Sequence, residues 1–335
     1  MTAAISLFGQ TVRRGETRNF RAQVAEMNDG TPITVSVMVV AGARPGPTML
    51  LSAAIHGDEY NGIVAVPRIC REIKPADLKG TIVGIPVMSP FSFFTRSRSN
   101  NLDYEHLNLN RIWPGDPYGF LTQMAAHAVF ENAIEPADYI MDFHEGGIAI
   151  IAEYLGLSGS EASRAKVGDV QSRMARWFGQ GIPVIDKITD EKQIKLGRLG
   201  TLTEAAGTRN KPVLTVETGG AGKIWPRYVD IAVTGAKRVM TGLGMLEGEV
   251  PEDPRKQHWV TDNLWMRSHH GGMLIDAPGL ECGAVLKKGT LLYSVQNLFG
   301  EVVEEIVAPF DTVILDTRHI ASVYPGDWTC NCGKL

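Results

Sequence analysis

The chain has 335 residues, 44% of them hydrophobic and 21% charged, with a formal net charge of −4. These values suit a soluble globular protein with room for one large domain or two, and with a core large enough to need no staples. The slight acidic excess argues against a nucleic-acid partner, which usually draws a basic excess. The N-terminal stretch lacks a long apolar h-region, and no apolar run approaches bilayer length, so neither a signal peptide nor a membrane span is expected. Four cysteines, Cys70, Cys282, Cys330 and Cys332, are too few for a disulfide framework, which makes the cytoplasm the expected compartment.

In chain order, residues 10–50 alternate short β-prone runs with turn signals. "TPITVSVMVVAGA" reads as a strand that stops at "RPGP". "TMLLSAAIH" is a nearly continuous apolar run, the pattern of a strand buried on both faces. Residues 59–73 carry apolar residues at helical spacing, with Pro67 expected to kink or delay the helix. "GTIVGIPVMSP" reads as the next buried strand and residues 120–134 as a helix. "DYIMDFH" is again a strand, "RAKVGDVQSRMARWFG" a helix, "KPVLTVETGG" a strand ending in a glycine turn, and "YVDIAVTGAKRVMTGLGM" a helix. Strands alternating with helices predict an α/β domain with a largely parallel sheet over residues 1–247, whose ligands collect at the carboxyl ends of the strands. The acidic, proline-bearing segment 248–257 reads as a linker. The short β-like runs between glycine turns after it predict a small all-β domain over 258–335.

His56, His144 and Glu217 each stand at the end of an apolar β-like run. A catalytic zinc takes three protein ligands from His, Glu or Asp and leaves a fourth position open. His56 and Glu59, three apart across a glycine, can reach one ion where a strand ends and a helix starts. His144, followed by Glu145 and two glycines, fits as the third ligand. Glu217 in "LTVETGG" is either half of a salt bridge or a general base acting on a metal-activated water. Glu145 competes for the role of base, but adjacent side chains of an extended segment point to opposite faces, which sets it apart from His144. The loop "TRSRSNNLDYEHLNLNRIWPG" offers Arg96, Arg98, Asn108, Asn110 and Arg111. An arginine fork can hold a carboxylate, and a second arginine near a metal can stabilise an oxyanion.

H-G-x-E at 56–59, N-L-N-R at 108–111, the strand-ending His144 and "VETGG" around 217 together resemble the succinylglutamate desuccinylase/aspartoacylase family, relatives of the zinc carboxypeptidases, over essentially the whole chain. The resemblance implies a carboxypeptidase-like, mostly parallel mixed sheet flanked by helices. It implies one zinc per chain, held by His56, Glu59 and His144. Glu217 would activate the water and pass its proton to the leaving amine. Arg111, helped by Asn110, would hold the substrate carboxylate. Arg98 best matches the family's carbonyl-polarising arginine, with Arg96 as the rival. Two departures stand out: Asn108 replaces an Asp of many members, and Glu145 follows the third ligand where a small hydroxyl residue is frequent. An acid at the pocket rim would favour a cationic amine on the substrate. The C-terminal region resembles a lipoyl- or biotinyl-like β hybrid of barrel-sandwich type. No lysine stands at its expected hairpin tip around "NLFGEV", so it reads as a lid or oligomer contact and not as a carrier.

His258, His269 and His270 read as surface or interdomain residues, and the C-x-C at Cys330 and Cys332 as an incidental pair of thiols at a flexible end. "TGGAGK" lacks the first glycine of a phosphate loop and the Ser or Thr after its lysine. The expectation is therefore a cytoplasmic zinc amide hydrolase acting on a small N-acyl amino acid, with a homo-oligomer left open. A carboxypeptidase on short peptides and a metal-bearing binding protein without turnover are the rival readings.

Overall fold

The computed structural model describes residues 3–195 and 197–335. It opens with a hairpin, β1 (Ala3–Leu7) and β2 (Gln10–Arg13), followed by β3 (Thr17–Glu26), β4 (Pro32–Ala41) and β5 (Arg44–Ala53). Then come α1 (Asn61–Glu72), β6 (Lys79–Ile85), α2 (Pro90–Thr95) and α3 (Leu121–Val129). The middle of the chain forms β7 (Tyr139–His144), β8 (Ile150–Gly159), α4 (Glu161–Phe178), β9 (Val184–Ile188), α5 (Glu191–Lys195) and α6 (Leu202–Gly207). After these follow β10 (Val213–Gly220) and α7 (Pro226–Gly242). The remainder is β: β11 (Trp259–Val260), β12 (Asn263–Arg267), β13 (Gly272–Asp276), β14 (Val285–Leu286), β15 (Leu291–Gln296), β16 (Val302–Val307), β17 (Thr312–Arg318), β18 (Ser322–Val323) and β19 (Trp328–Lys334).

A 13-stranded mixed sheet with helices on both faces organises the fold, as expected for the α/β class. Its main path runs β12-β19-β17-β8-β10-β7-β5-β6-β4-β3. Parallel pairing is concentrated at the centre, where β10, β7, β5 and β6 run in one direction. Their residues are apolar on both faces because helices cover both. Met49, Leu51, Met141, Phe143, Leu214 and Val216 pack on the side of α1, α4 and α7. Leu50, Val83, Ile140 and Val213 pack on the opposite side with α3 and α6. Antiparallel strands flank this centre on either hand.

Two local expectations change. The "RPGP" segment begins β5 instead of ending a strand. The chain advances four positions, from Arg44 to Thr48, while the partner advances two, from Lys79 to Thr81, so the proline-rich piece forms a bulge beside Gly80. Helix α1 runs through Pro67 without stopping. Losing one backbone bond costs about 3 kcal/mol, but the buried stripe of Ala65, Val66, Ile69 and Cys70 is held against the sheet and α7. Strand β8, which carries "IIAEYLGLSG", has no counterpart in the sequence reading.

The C-terminal strands divide. β13, β15, β16 and β18 form a separate four-stranded antiparallel sheet. β17 and β19 instead extend the main sheet: Asp316 pairs with Ala152 of β8, and β19 pairs with both β17 and β12. Strand β11, directly after the segment read as a linker, pairs in parallel with β9. Among the described residues no helix is long and apolar enough to cross a membrane.

Candidate metal centre and active site

The site forms where β5, β7 and β10 end. After β5 the chain turns through Ala54, whose φ of 48° is left-handed, and reaches His56. Gly57 then lies against the end of α2. A Cβ there would stand 1.9 Å from the carbonyl carbon of Ser92, so no other residue fits, and the Gly57 N–H donates to the Ser97 carbonyl at 2.9 Å. This close approach joins the loop bearing His56 and Glu59 to the loop bearing Arg98.

His56, Glu59 and His144 meet, with one ligand atom from each lying within 4.8 Å of the others, all three side chains buried. Glu59 bridges the histidines: Oε1 lies 2.7 Å from Nδ1 of His56, and Oε2 lies 2.9 Å from Nδ1 of His144. The far nitrogen of His144, Nε2, lies 2.8 Å from Oδ2 of Asp142, and Asp142 accepts a 2.7 Å bond from the Ser52 hydroxyl. Burial pushes His56 down to about 4. Burial also works against charge on His144, but the carboxylates of Asp142 and Glu59 on either side hold it well above the ordinary imidazole range. Glu59 is itself desolvated, which would raise it, yet the two histidines hold it below the usual carboxylate range. His56 Nε2 is buried without a hydrogen-bond partner. The donor set fits a metal: two histidines and a glutamate match the ligands of an open catalytic zinc site, and Asp142 stands on His144 as the outer carboxylate does that orients a metal-binding histidine.

Glu217 stands directly beside His144 in the parallel β10–β7 register and opposite Tyr154 of β8. Burial pushes its carboxyl up to about 7; His144 pulls it down, Glu59 pushes it further up, and Arg98 and Arg198 pull it down. Arg98 reaches in from solvent, its Nη1 3.6 Å from Glu59 Oε1 and its side chain 54% exposed. Arg96 caps α2 in a left-handed conformation and faces solvent, with its charge felt at Tyr60. Of the two arginines, the structure brings Arg98 to the cluster.

Arg111 ends a short 3-10 turn, Leu109–Arg111, begun by Asn108, whose Oδ1 accepts the Asn110 N–H at 2.8 Å. Burial first, and then the charges of Arg198 and Arg98, push Arg111 down to about 10, which leaves it charged at neutral pH. Asn110 uses its side-chain oxygen to accept the Leu202 N–H at the start of α6, at 3.0 Å, so its NH2 group is the part left to meet a ligand. Arg198 and Tyr154 were missed by sequence reasoning. Arg198 lies in a short turn whose Gly200 is pressed so closely on the Arg111 carbonyl that a Cβ would meet its oxygen at 1.9 Å. Its only sequence signal is an arginine between two glycines, 19 residues before Glu217.

Glu145 departs from the expected pocket rim. Its buried carboxylate accepts the backbone N–H groups of Tyr60 at 2.8 Å and Asn61 at 3.0 Å, and the side-chain amide of Asn61. It therefore anchors the N-terminus of α1, and nothing remains of the argument that it selects a cationic substrate from the rim. The C-x-C pair is likewise not at a flexible end: Cys330 and Cys332 are buried in β19, their sulfurs 3.9 Å apart. His269 is exposed and pairs with Glu304 at 2.8 Å, away from the metal cluster.

Comparison with known proteins bears on this geometry. Residues 45–243 match the model of the succinylglutamate desuccinylase/aspartoacylase catalytic domain. An N-alpha-acetyl-L-2,4-diaminobutyric acid deacetylase from Halomonas elongata is 27% identical over 305 residues, covering 88% of this chain and 84% of its own. A succinylglutamate desuccinylase structure from a Silicibacter species superposes with a TM-score of 0.81 at 23% identity, over 100% of this chain and 99% of that one. The product-bound ectoine utilization protein EutE (DoeB) from Ruegeria pomeroyi gives 0.81 at 22% identity, with 100% of both chains covered. The match spans more than half of the chain, and the protein belongs to the succinylglutamate desuccinylase/aspartoacylase family.

Proposed function

We propose that this protein is a zinc-dependent amide hydrolase that removes the acyl group from a small N-acyl amino acid. The observation that carries the reading is the register of β10 on β7, which sets the carboxylate of Glu217 next to His144 and the His56–Glu59 pair. Zinc held by His56, Glu59 and His144 would supply Lewis acidity at the scissile carbonyl and acidify water. Glu217 takes the proton from the attacking water and returns it to the amine as the C–N bond breaks. A carboxyl near 7 is matched to that exchange at neutral pH. Arg98 donates to the carbonyl oxygen as it gains negative charge. Arg111, with the NH2 of Asn110, grips the substrate carboxylate and so fixes where the carbonyl sits. The products are a carboxylic acid and a free amine. The relative from Halomonas elongata is a deacetylase of an N-acetyl amino acid, which supports this class.

In this reading residues 1–247 carry the chemistry and residues 258–335 complete the sheet beside it. The protein works in the cytoplasm, where four free cysteines would stay reduced. The deciding experiment measures primary amine release from N-acetyl, N-succinyl and N-formyl amino acids and from dipeptides, with and without chelator. Chelator-sensitive release from acyl amino acids supports the reading. Release confined to the C-terminal residue of dipeptides would replace it with a carboxypeptidase.

A further inference from the structure

We infer that the outer face of the small C-terminal sheet seats a second copy of this chain, related by a two-fold axis, with the β15–β16 hairpin tip of each copy on the base of the other's sheet. The inference is independent of the deacylase reading. The sheet runs β16-β15-β13-β18. Its inner face, with Leu274, Tyr293, Val295 and Ile306, packs on Ile314, Cys330 and Cys332 of the main sheet. Paired residues of adjacent strands share a face, so the register assigns the other side. Met273 and Val302 flank Gln296 near the tip, Ile275 and Glu305 flank Ser294 in the middle, and Leu291 pairs with Val307 at the base. All five apolar side chains are exposed. Beyond Gln296 the turn carries no lysine and instead presents Leu298, 89% exposed, and Phe299, 90% exposed. That turn is prebuilt. The Asn297 side-chain oxygen accepts the N–H groups of Phe299 at 3.0 Å and Glu301 at 3.1 Å, and its NH2 donates to Glu301 Oε2 at 2.8 Å.

Together these apolar residues expose on the order of 800 Å², what one partner brings to a standard stable interface and more than a monomer usually leaves bare. The face is also polarised. Its tip end carries Glu301 and its base end carries Lys287 and Lys288, all exposed. Lys287 pairs with Asp311, and among the described residues Lys288 forms no ion pair. A two-fold axis through the middle of β15 reverses the second sheet on the first. Leu298 and Phe299 of one copy then meet Leu291 and Val307 of the other, and Glu301 approaches Lys288. Such a contact is self-complementary, as a closed dimer requires. Pairing along the free edge of β16 is the other way two copies could join. A two-fold there would set Glu304 and Glu305 against their counterparts, where like charges repel. An anionic surface does not suit the face either, because Glu301 and Glu305 stand on it.

The test weighs the full, metal-loaded chain by sedimentation equilibrium from about 1 to 100 μM, a range that brackets a micromolar dimer. The expected mass is twice the 36.5 kDa of one chain. Leu298→Ser with Phe299→Ser removes two exposed side chains from each copy, and should raise the dissociation constant at least about a hundredfold. Lys288→Glu should weaken the dimer severalfold, by an amount that shrinks at high salt. Both variants should keep the wild-type circular dichroism, since neither touches the core. Leu291→Cys together with Phe299→Cys should yield a covalent dimer under diamide. Phe299→Cys alone should yield none, because the two tips lie at opposite ends of the contact. A wild-type chain that stays at 36.5 kDa overturns the inference, whether or not it floats with lipid vesicles. A dimer that survives the tip substitutions lies elsewhere on the molecule and also overturns it. Crosslinking through Phe299→Cys alone overturns the reversed seating.

Discussion

His144 and Glu145 are neighbours in sequence and belong to two different regions of the molecule. His144 faces the α3 and α6 side of the sheet and joins the metal cluster, whereas Glu145 turns to the α1 side and is saturated by three N–H donors from the start of that helix. Both carboxylates near this strand end, Glu145 and Glu217, are pushed by burial up to about 7. Their surroundings differ in kind. Around Glu145 every donor is a fixed part of the backbone or of Asn61. Around Glu217 the neighbours are charges, and among the described residues none forms a hydrogen bond to its carboxylate. Glu145, with its bonds all made, serves the fold, whereas Glu217 is half-buried and faces the cluster with its bonds unmade.

That contrast can be broken in order of expected effect. Chelation should abolish amine release altogether and zinc should restore it; activity that survives exhaustive chelation would remove the metal from the reading. Glu217→Gln should lower kcat by about 10²- to 10⁴-fold, the range for losing a general acid–base. Its melting temperature should not fall, since no fixed bond is lost. Arg98→Ala should lower kcat by about 10²- to 10³-fold with a smaller change in KM, as for an oxyanion donor. Glu145→Gln should act on the other side of the comparison. Its NH2 group would face N–H donors, so denaturant unfolding should show a loss of about 1–3 kcal/mol, while the folded enzyme keeps its kcat. The smallest effect belongs to Arg68, which pairs on the surface of α1 with Glu72 at 2.7 Å and Asp230 at 2.5 Å. Arg68→Ala should leave the unfolding midpoint close to that of the wild type, as for an exposed ion pair.

The acidic limb of kcat/KM sharpens the same point. Glu217 must be unprotonated to accept a proton, so the rate should fall as pH drops through its titration. In Glu217→Gln that limb should disappear from the residual activity. A limb unchanged in the variant would assign the titration to another group.

That His56 and His144 come together with Glu59 was legible because each histidine ends an apolar run, and strand ends are where such sheets bind ligands. The separation of Glu145 from His144 was legible from strand alternation alone. What Glu145 does was not, because its partners, Tyr60 and Asn61, lie 84 and more residues away and only the fold brings them near. Pro67 misled because local cost was weighed without the buried stripe that outweighs it. Strand β8 escaped notice because Glu153, Tyr154 and three glycines and serines dilute its apolar pattern. With it went Tyr154 and the surface on which β17 lies. Arg198 was hidden in a turn whose only mark is flanking glycine.

The pairing of Asp316 with Ala152 joins residues 164 positions apart in the chain. During synthesis at the ribosome, β8 can find β10 long before β17 exists. Until β17 arrives, the Ile150–Ala152 end of the other edge of β8, beyond the part that β9 covers, has its N–H and C=O groups open, a template for any passing strand. Sheets closed by such distant pairings form slowly and are exposed to aggregation while they wait. Expression yield and dependence on chaperones should therefore follow changes in β17 and β19 more than changes in the catalytic loops.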